Sequence, residues 1–252
     1  MCHHDFKLKR RLEGHIGNVT KVQFVSQNMF ISGSEDFTIR LWCVDSTTTI
    51  HIYNGHEGYI SCWLILKNRI WSGAADASIR VWNLDDFELK NVIETSHRKT
   101  IQCIIHAGLY SVASASNDGT IELYHSDSFI VLRTINVHTP VYHLEHGNLK
   151  PNYLMASTGN GHIILYDLEQ NCTTLNIQIH TQWISHFKLK NYYLACVAES
   201  ILFIIDIRSF DIIEQTDTQQ IVIQTIEWLN TNTIISSGKD GIIKLFKFKL
   251  PL

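Results

Sequence analysis

The chain has no hydrophobic run long enough to cross a membrane. Its most apolar stretch, Ile201 to Ile205, is five residues long and ends at Asp206, against the ~20 residues a spanning helix needs. Three prolines and thirteen glycines in 252 residues leave little material for a linker or a disordered tail. The six cysteines, Cys2, Cys43, Cys62, Cys103, Cys172 and Cys196, form no C-x-x-C pair. They read as reduced, small hydrophobic residues, and not as a disulfide or zinc framework. Net charge is only −3, so no strong field draws the molecule to nucleic acid. No apolar stretch follows Met1–Asp5, so a secretory leader is not expected. Cytoplasm or nucleus is the expected compartment. No segment keeps helical periodicity over about 11 residues.

What is present is a repeat. His, Ser, Asp and Trp return in that order as His15, Ser32, Asp36, Trp42, then as His56, Ser72, Asp76, Trp82. A third set is His97, Ser114, Asp118, Tyr124. The aligned turn positions Asp36, Asp76, Asp118, Asn160, Glu199 and Asp240 are spaced by 40, 42, 42, 39 and 41 residues. Six such units need about 245 residues and seven roughly 287. The expected units are 13–53, 54–94, 95–136, 137–178, 179–218 and 219–252. In the second, four short strands are expected near Ile60–Leu66, Arg69–Gly73, Ser78–Asn83 and Glu88–Ile93, rich in β-branched and aromatic residues. The pairs Asp118-Gly119 and Asp240-Gly241 suit tight hairpins. The last unit lacks an outer strand, and residues 6–12 read as a strand without a unit. That strand is expected to complete the sixth blade and close the ring, which removes two exposed edges.

The segments "EGHIGNVTKVQF…ISGSEDFTIRLW" and "NGHEGYISCWLI…WSGAADASIRVWN" resemble the Gly-His…Trp-Asp signature of the WD-repeat β-propeller family. The third unit is a fair match and the later ones are degenerate. The resemblance covers nearly the whole chain. It implies an all-β, single-domain, six-bladed β-propeller of four-stranded antiparallel blades. The compact units look most like the propeller modules attached to F-box proteins and to alpha-type kinases.

His15, Ser32 and Asp36 could be taken for a catalytic triad. A catalytic set is needed once, however, whereas this set recurs in each early unit. It is therefore expected to be a structural network in which Asp accepts from His, His bonds Ser, and Ser accepts from the indole. Unit four offers His138, Ser157 and Asn160, unit five His180, Cys196 and Glu199, and unit six Ser236 and Asp240 with no clear histidine. Units five and six are expected to rely on apolar burial alone. No catalytic, cofactor-binding or metal-ligating set is expected. His143 and His146, three apart on a strand, face opposite ways, and Cys2, His3 and His4 sit at a terminus.

A repeat architecture of this kind offers a surface for partners. The resemblance implies that the loops entering each innermost strand lie on one face, which places Asn18, Tyr59, Thr100, Pro140 and Trp183 there. Glu35, Ala75, Asn117 and Lys239, just before the turn acids, join them. The expected function is a protein–protein interaction scaffold within a multiprotein complex, with Tyr59 and Trp183 as anchors. Two alternatives stand beside it. Ile205-Asp206-Ile207-Arg208 resembles the W-D-x-R ending of propellers that dock on cullin-type ubiquitin ligases, which would make the chain a substrate receptor using Arg208. A structural subunit of a coat or nuclear-pore-like assembly, accepting an extra blade from a partner, is the other. Lys7, Lys9, Arg10 and Arg11 form the one basic run and are expected to protect an edge strand.

Overall fold

The computed structural model describes residues 10–108, 111–146 and 152–249. All its regular structure is β, arranged as the six antiparallel blades of a β-propeller fold. The chain divides into two compact units, 1–95 and 96–252.

Unit one holds two sheets. The first is β1 (Val19–Phe24), β2 (Met29–Ser34), β3 (Ile39–Cys43) and β4 (Thr49–Tyr53). The second is β5 (Ile60–Leu66), β6 (Arg69–Ala74), β7 (Ile79–Asn83) and β8 (Leu89–Ile93), within a residue or so of the sequence expectation. Unit two begins with β9 (Ile101–His106), β10 (Ser111–Ser116), β11 (Thr120–His125) and β12 (Val131–Asn136). It continues with β13 (Val141–His146), β14 (Tyr153–Thr158), β15 (His162–Asp167) and β16 (Cys172–Gln178). The fifth sheet is β17 (Ile184–Lys190), β18 (Tyr193–Ala198), β19 (Ile201–Asp206) and β20 (Asp211–Asp217). The sixth is β21 (Ile223–Asn230), β22 (Thr233–Gly238) and β23 (Ile243–Lys247).

Each sheet runs in simple antiparallel order, because a strand that pairs with its sequence neighbour needs only a short turn. The turn after the acidic position demands a left-handed residue. Gly119 and Gly241 supply it at φ 89° and 75°, while Phe37 and Ala77 are held at 70° and 63° against their steric preference. The core lies between successive sheets. Ile31, Ile39 and Leu41 pack with Ile60 and Trp63 in unit one. In unit two, Ile121 and Leu123 pack with Val141 and Leu144, and Leu202 and Ile204 with Ile223 and Ile226.

Among the described residues the sixth sheet has three strands. Residues 6–9 of the expected closing strand lie outside the described residues, and Arg10–Leu12 carry no strand.

Candidate functional site

The recurring polar set forms a continuous chain of hydrogen bonds in the first two sheets. His15 Nδ1 is 2.7 Å from Asp36 Oδ2, His15 Nε2 is 2.7 Å from Ser32 Oγ, and Trp42 Nε1 donates to that same oxygen at 2.7 Å. One proton arrangement satisfies every member: Nδ1–H donates to the carboxylate, the serine hydroxyl donates to Nε2, and the indole donates to the serine. Thr38 Oγ1 donates to the other carboxylate oxygen at 2.7 Å. Burial pushes the Asp36 carboxyl up, but the hydrogen bonds from Thr38 and His15 outweigh it and hold it at about 2. The second sheet repeats the geometry, with 2.9 Å from His56 to Asp76, 2.8 Å from His56 to Ser72 and 2.9 Å from Trp82 to Ser72. Here the serine is committed to a buried indole and is not exposed to a substrate.

The third sheet keeps the logic with changed parts. Thr120 is inserted between ring and acid: His97 Nδ1 is 2.7 Å from Thr120 Oγ1, which donates to Asp118 at 2.5 Å. Tyr124 replaces the indole and donates its phenol to Glu122, a carboxylate only 1% exposed. Glu122 also accepts from the Ser96 backbone at 3.1 Å and from the Ser96 hydroxyl. Burial lowers the His97 pKa despite the pull of Glu122 and Asp118. The sequence reading passed over Glu122, although an acid two residues before the phenol, where the first two repeats have Arg40 and Arg80, marks the place.

Sheet register corrects two alignments. Leu144 pairs with Ala156 as Val22 pairs with Ser32 and Trp63 with Ser72. The serine place in unit four is therefore Ala156, and Ser157 points to the other side, its buried hydroxyl without a hydrogen-bond partner. His138 is exposed. In unit five the same register places Cys196, so Ser200 stands at the acidic place. Glu199 instead occupies a two-residue hairpin between paired Ala198 and Ile201, at φ 54°. A third correction concerns unit six, which does not rely on apolar burial alone. Gln220 stands where histidine does elsewhere. It accepts from the Ser236 hydroxyl and donates to Ile242 O at 2.8 Å, while Asp240 accepts from Ile221 N at 3.3 Å. The signal was spacing: Gln220 precedes Ser236 by 16 residues, as His56 precedes Ser72.

The expected partner-binding residues fall on loops at equivalent ends of their sheets. In five of the six sheets the residue before the acidic place donates its N–H to the loop that enters the innermost strand. In unit one Glu35 donates to Asn18 O at 2.9 Å and Ala75 to Tyr59 O at 3.0 Å. In unit two Asn117 donates to Thr100 O at 3.0 Å, Gly159 to Pro140 O at 2.8 Å and Lys239 to Val222 O at 2.9 Å. Asn18 Nδ2 also donates to the Glu35 carboxylate at 2.8 Å. Tyr59 is 39% exposed. Trp183 is half-buried and its ring lies 5.2 Å from that of Tyr142.

Arg208 is elsewhere, on the turn between β19 and β20. Its guanidinium forks onto Asp206 at 2.9 Å and 2.5 Å and lies 5.0 Å from the Tyr192 ring. With Tyr153, Leu165, Tyr192, Ile207 and Phe210 it lines a groove of about 430 Å³. His143 faces His186, ring to ring at 4.0 Å, and lies 4.0 Å from Cys103 Sγ. Among the described residues no group of three or more His, Cys, Asp or Glu is placed to hold a metal ion. No helix among them is long and apolar enough to cross a membrane.

The family pattern described as "WD domain, G-beta repeat" matches residues 6–43 and 47–83, the two units whose hydrogen-bond chains are complete. Residues 6–83 thus carry two WD repeats. The ribosome biogenesis protein WDR12 homolog of Aedes aegypti is 24% identical over 288 aligned positions, covering 98% of this chain and 66% of the relative. Human striatin-4 is 24% identical over 200 positions, covering 68% of this chain and 27% of the relative. Among solved structures, the computationally designed Ika8 protein matches with a TM-score of 0.80 at 22% identity, covering 94% of this chain and 73% of that one. That likeness is one of fold. The chain spans about two thirds of the length of the mosquito relatives. The degenerate repeats, four to six, are those in which Ala156, Cys196 and Gln220 have replaced a member of the network.

Proposed function

We propose that this chain is a protein–protein interaction scaffold that holds a protein or peptide partner on the loops at the acidic-turn ends of its blades. The observation that carries the reading is Tyr59. It is a large aromatic residue left 39% exposed, on a loop whose backbone is pinned by the Ala75 N–H. A rigid aromatic on a fixed loop contributes contact area at little cost in conformational entropy. Trp183, resting on Tyr142, is the second anchor, and Asn18, Glu35, Thr100, Asn117 and Lys239 supply the polar surround. The WDR12 relatives are named for ribosome biogenesis. That name supports a place in a nuclear multiprotein assembly of the same kind, with no chemistry performed by the chain itself.

The test compares proteins that co-purify with the tagged wild-type chain and with the Tyr59→Ala/Trp183→Ala variant. Loss of a stoichiometric partner from a variant that melts normally is the expected outcome. Retention of every partner refutes the reading.

A second reading, a cullin-type substrate receptor docking through Arg208, is supported by the half-exposed guanidinium beside the apolar groove. Against it, that guanidinium already satisfies Asp206 with both arms of its fork. Adaptor binding that survives Arg208→Ala removes this reading.

A further inference from the structure

We infer that the third and fourth sheets, both in unit two, hold between them a site for a small, flat, uncharged aromatic molecule of one or two fused rings, in the space that an indole side chain fills in the early repeats. Neither Tyr59 nor Trp183 lines it, so the inference does not rest on the reading above.

Three substitutions empty this space in the fourth repeat. Leu154 pairs with Tyr166 and Ala156 with Ile164, as Phe30 pairs with Trp42 and Ser32 with Arg40. Serine, arginine and tryptophan thus give way to alanine, isoleucine and tyrosine, each smaller than the residue whose place it takes. Tyr166 does not make up the difference. Its phenol donates to Asn171 Oδ1 at 2.6 Å, on the turn between β15 and β16, because Ala156 offers it no hydrogen-bonding group. Tyr124, beside Ser114, turns its phenol to Glu122 instead. The fifth sheet fills the same space with Phe203 at the Ile164 place and Ile205 at the Tyr166 place, both buried.

What remains in the fourth repeat is a cavity of about 120 Å³. Buried Ile121, Ile135, Leu154 and Ala156 form its floor, and exposed Asn136 and Thr173 stand at its rim. An aliphatic cavity of about 150 Å³ stays dry and binds benzene, because water there lacks the two to four polar partners it needs. The volume therefore suits one or two fused rings and no more. No lining residue is charged, so a charged ligand would lose its hydration without a counter-ion. A flat ring lays its face on the floor, and the Thr173 hydroxyl can accept one N–H at the rim. Indole meets both requirements.

The test is equilibrium dialysis of the full-length protein against indole. One indole per chain is expected to bind, with Kd below about 1 mM. Affinity should fall at least roughly tenfold in Ala156→Met, which extends a flexible apolar side chain into the floor. It should stay unchanged in Tyr59→Ala/Trp183→Ala. Melting of each variant is checked first. If Ala156→Met does not fold, Thr173→Trp decides in its stead, since it supplies a covering ring from the exposed rim without touching the core, and the same loss is expected. Absence of saturable binding, binding of several indoles with equal affinity, or full affinity in a folded filling variant overturns the inference.

Discussion

Asp36 and Glu199 bear the same charge and stand at aligned places in the sequence, yet only Asp36 anchors a hydrogen-bond chain. Its carboxylate takes His15 on one oxygen and Thr38 on the other, and removing it leaves a buried imidazole and hydroxyl unpaired. Asp36→Ala is expected to cost about 1–3 kcal/mol, and Glu199→Ala, at an exposed turn, within about 0.5 kcal/mol. Urea melts of both variants decide, and equal losses would contradict the register. The same carboxylate sets a pH dependence. Its folded pKa, about 2, lies below the ordinary carboxylate value of ~3.9. Its stabilisation is therefore fully present above that ordinary value and lost as pH falls through the folded one. The stability gap between wild type and Asp36→Asn should narrow steadily from about pH 5 to about pH 2, followed by melts at stepped pH. A gap that widens on acidification would mean that the carboxylate is not the charged, accepting partner.

At the scale of the element, one residue of register separates a structural serine from an idle one. Ser72 sits at the network place and holds both His56 and Trp82, whereas Ser157 is one residue past it and its buried oxygen has no partner. Ser72→Ala should cost about 1–3 kcal/mol, while Ser157→Ala should be neutral or stabilising, because it removes a buried polar group that pairs with nothing. Equal destabilisation, read by thermal melts, would refute the assignment. These two serines also show how far the sequence could be read. Strand positions in the second unit were legible to within a residue or so, because turn residues and β-branched runs act locally. Ser157 was misplaced because a one-residue offset reverses which face a side chain occupies, and only pairing with a neighbouring strand reveals it. Gln220 was missed because an amide can replace an imidazole in accepting from Ser236, a substitution that residue type hides and spacing shows. Nothing local told that Tyr59 would be exposed while Trp183 leans on Tyr142, since that depends on the side chain of a neighbouring blade.

At the scale of the whole molecule, the alignment with the Aedes relative is longer than the part of this chain it covers. It runs over 288 positions, whereas 98% of 252 residues is about 247, so about 41 positions fall opposite gaps in this chain. Each compact unit has apolar residues left exposed at repeat positions that are buried in other sheets. In unit two these are Ile243 and Leu245. In unit one it is Val22, which pairs with Ser32 and is 55% exposed. Its counterparts Trp63, Ile104, Leu144, Phe187 and Ile226 are all buried. The same repeat position should then have very different energetic weight along the chain. Leu144→Ala opens a cavity in a packed core and should cost about 2–5 kcal/mol. Val22→Ala removes apolar area that is already half in water and should cost under about 1 kcal/mol. Chemical denaturation of the purified chain measures both. If Val22→Ala proves as costly as Leu144→Ala, the first blade's face is covered in solution and Val22 carries the same weight as its counterparts.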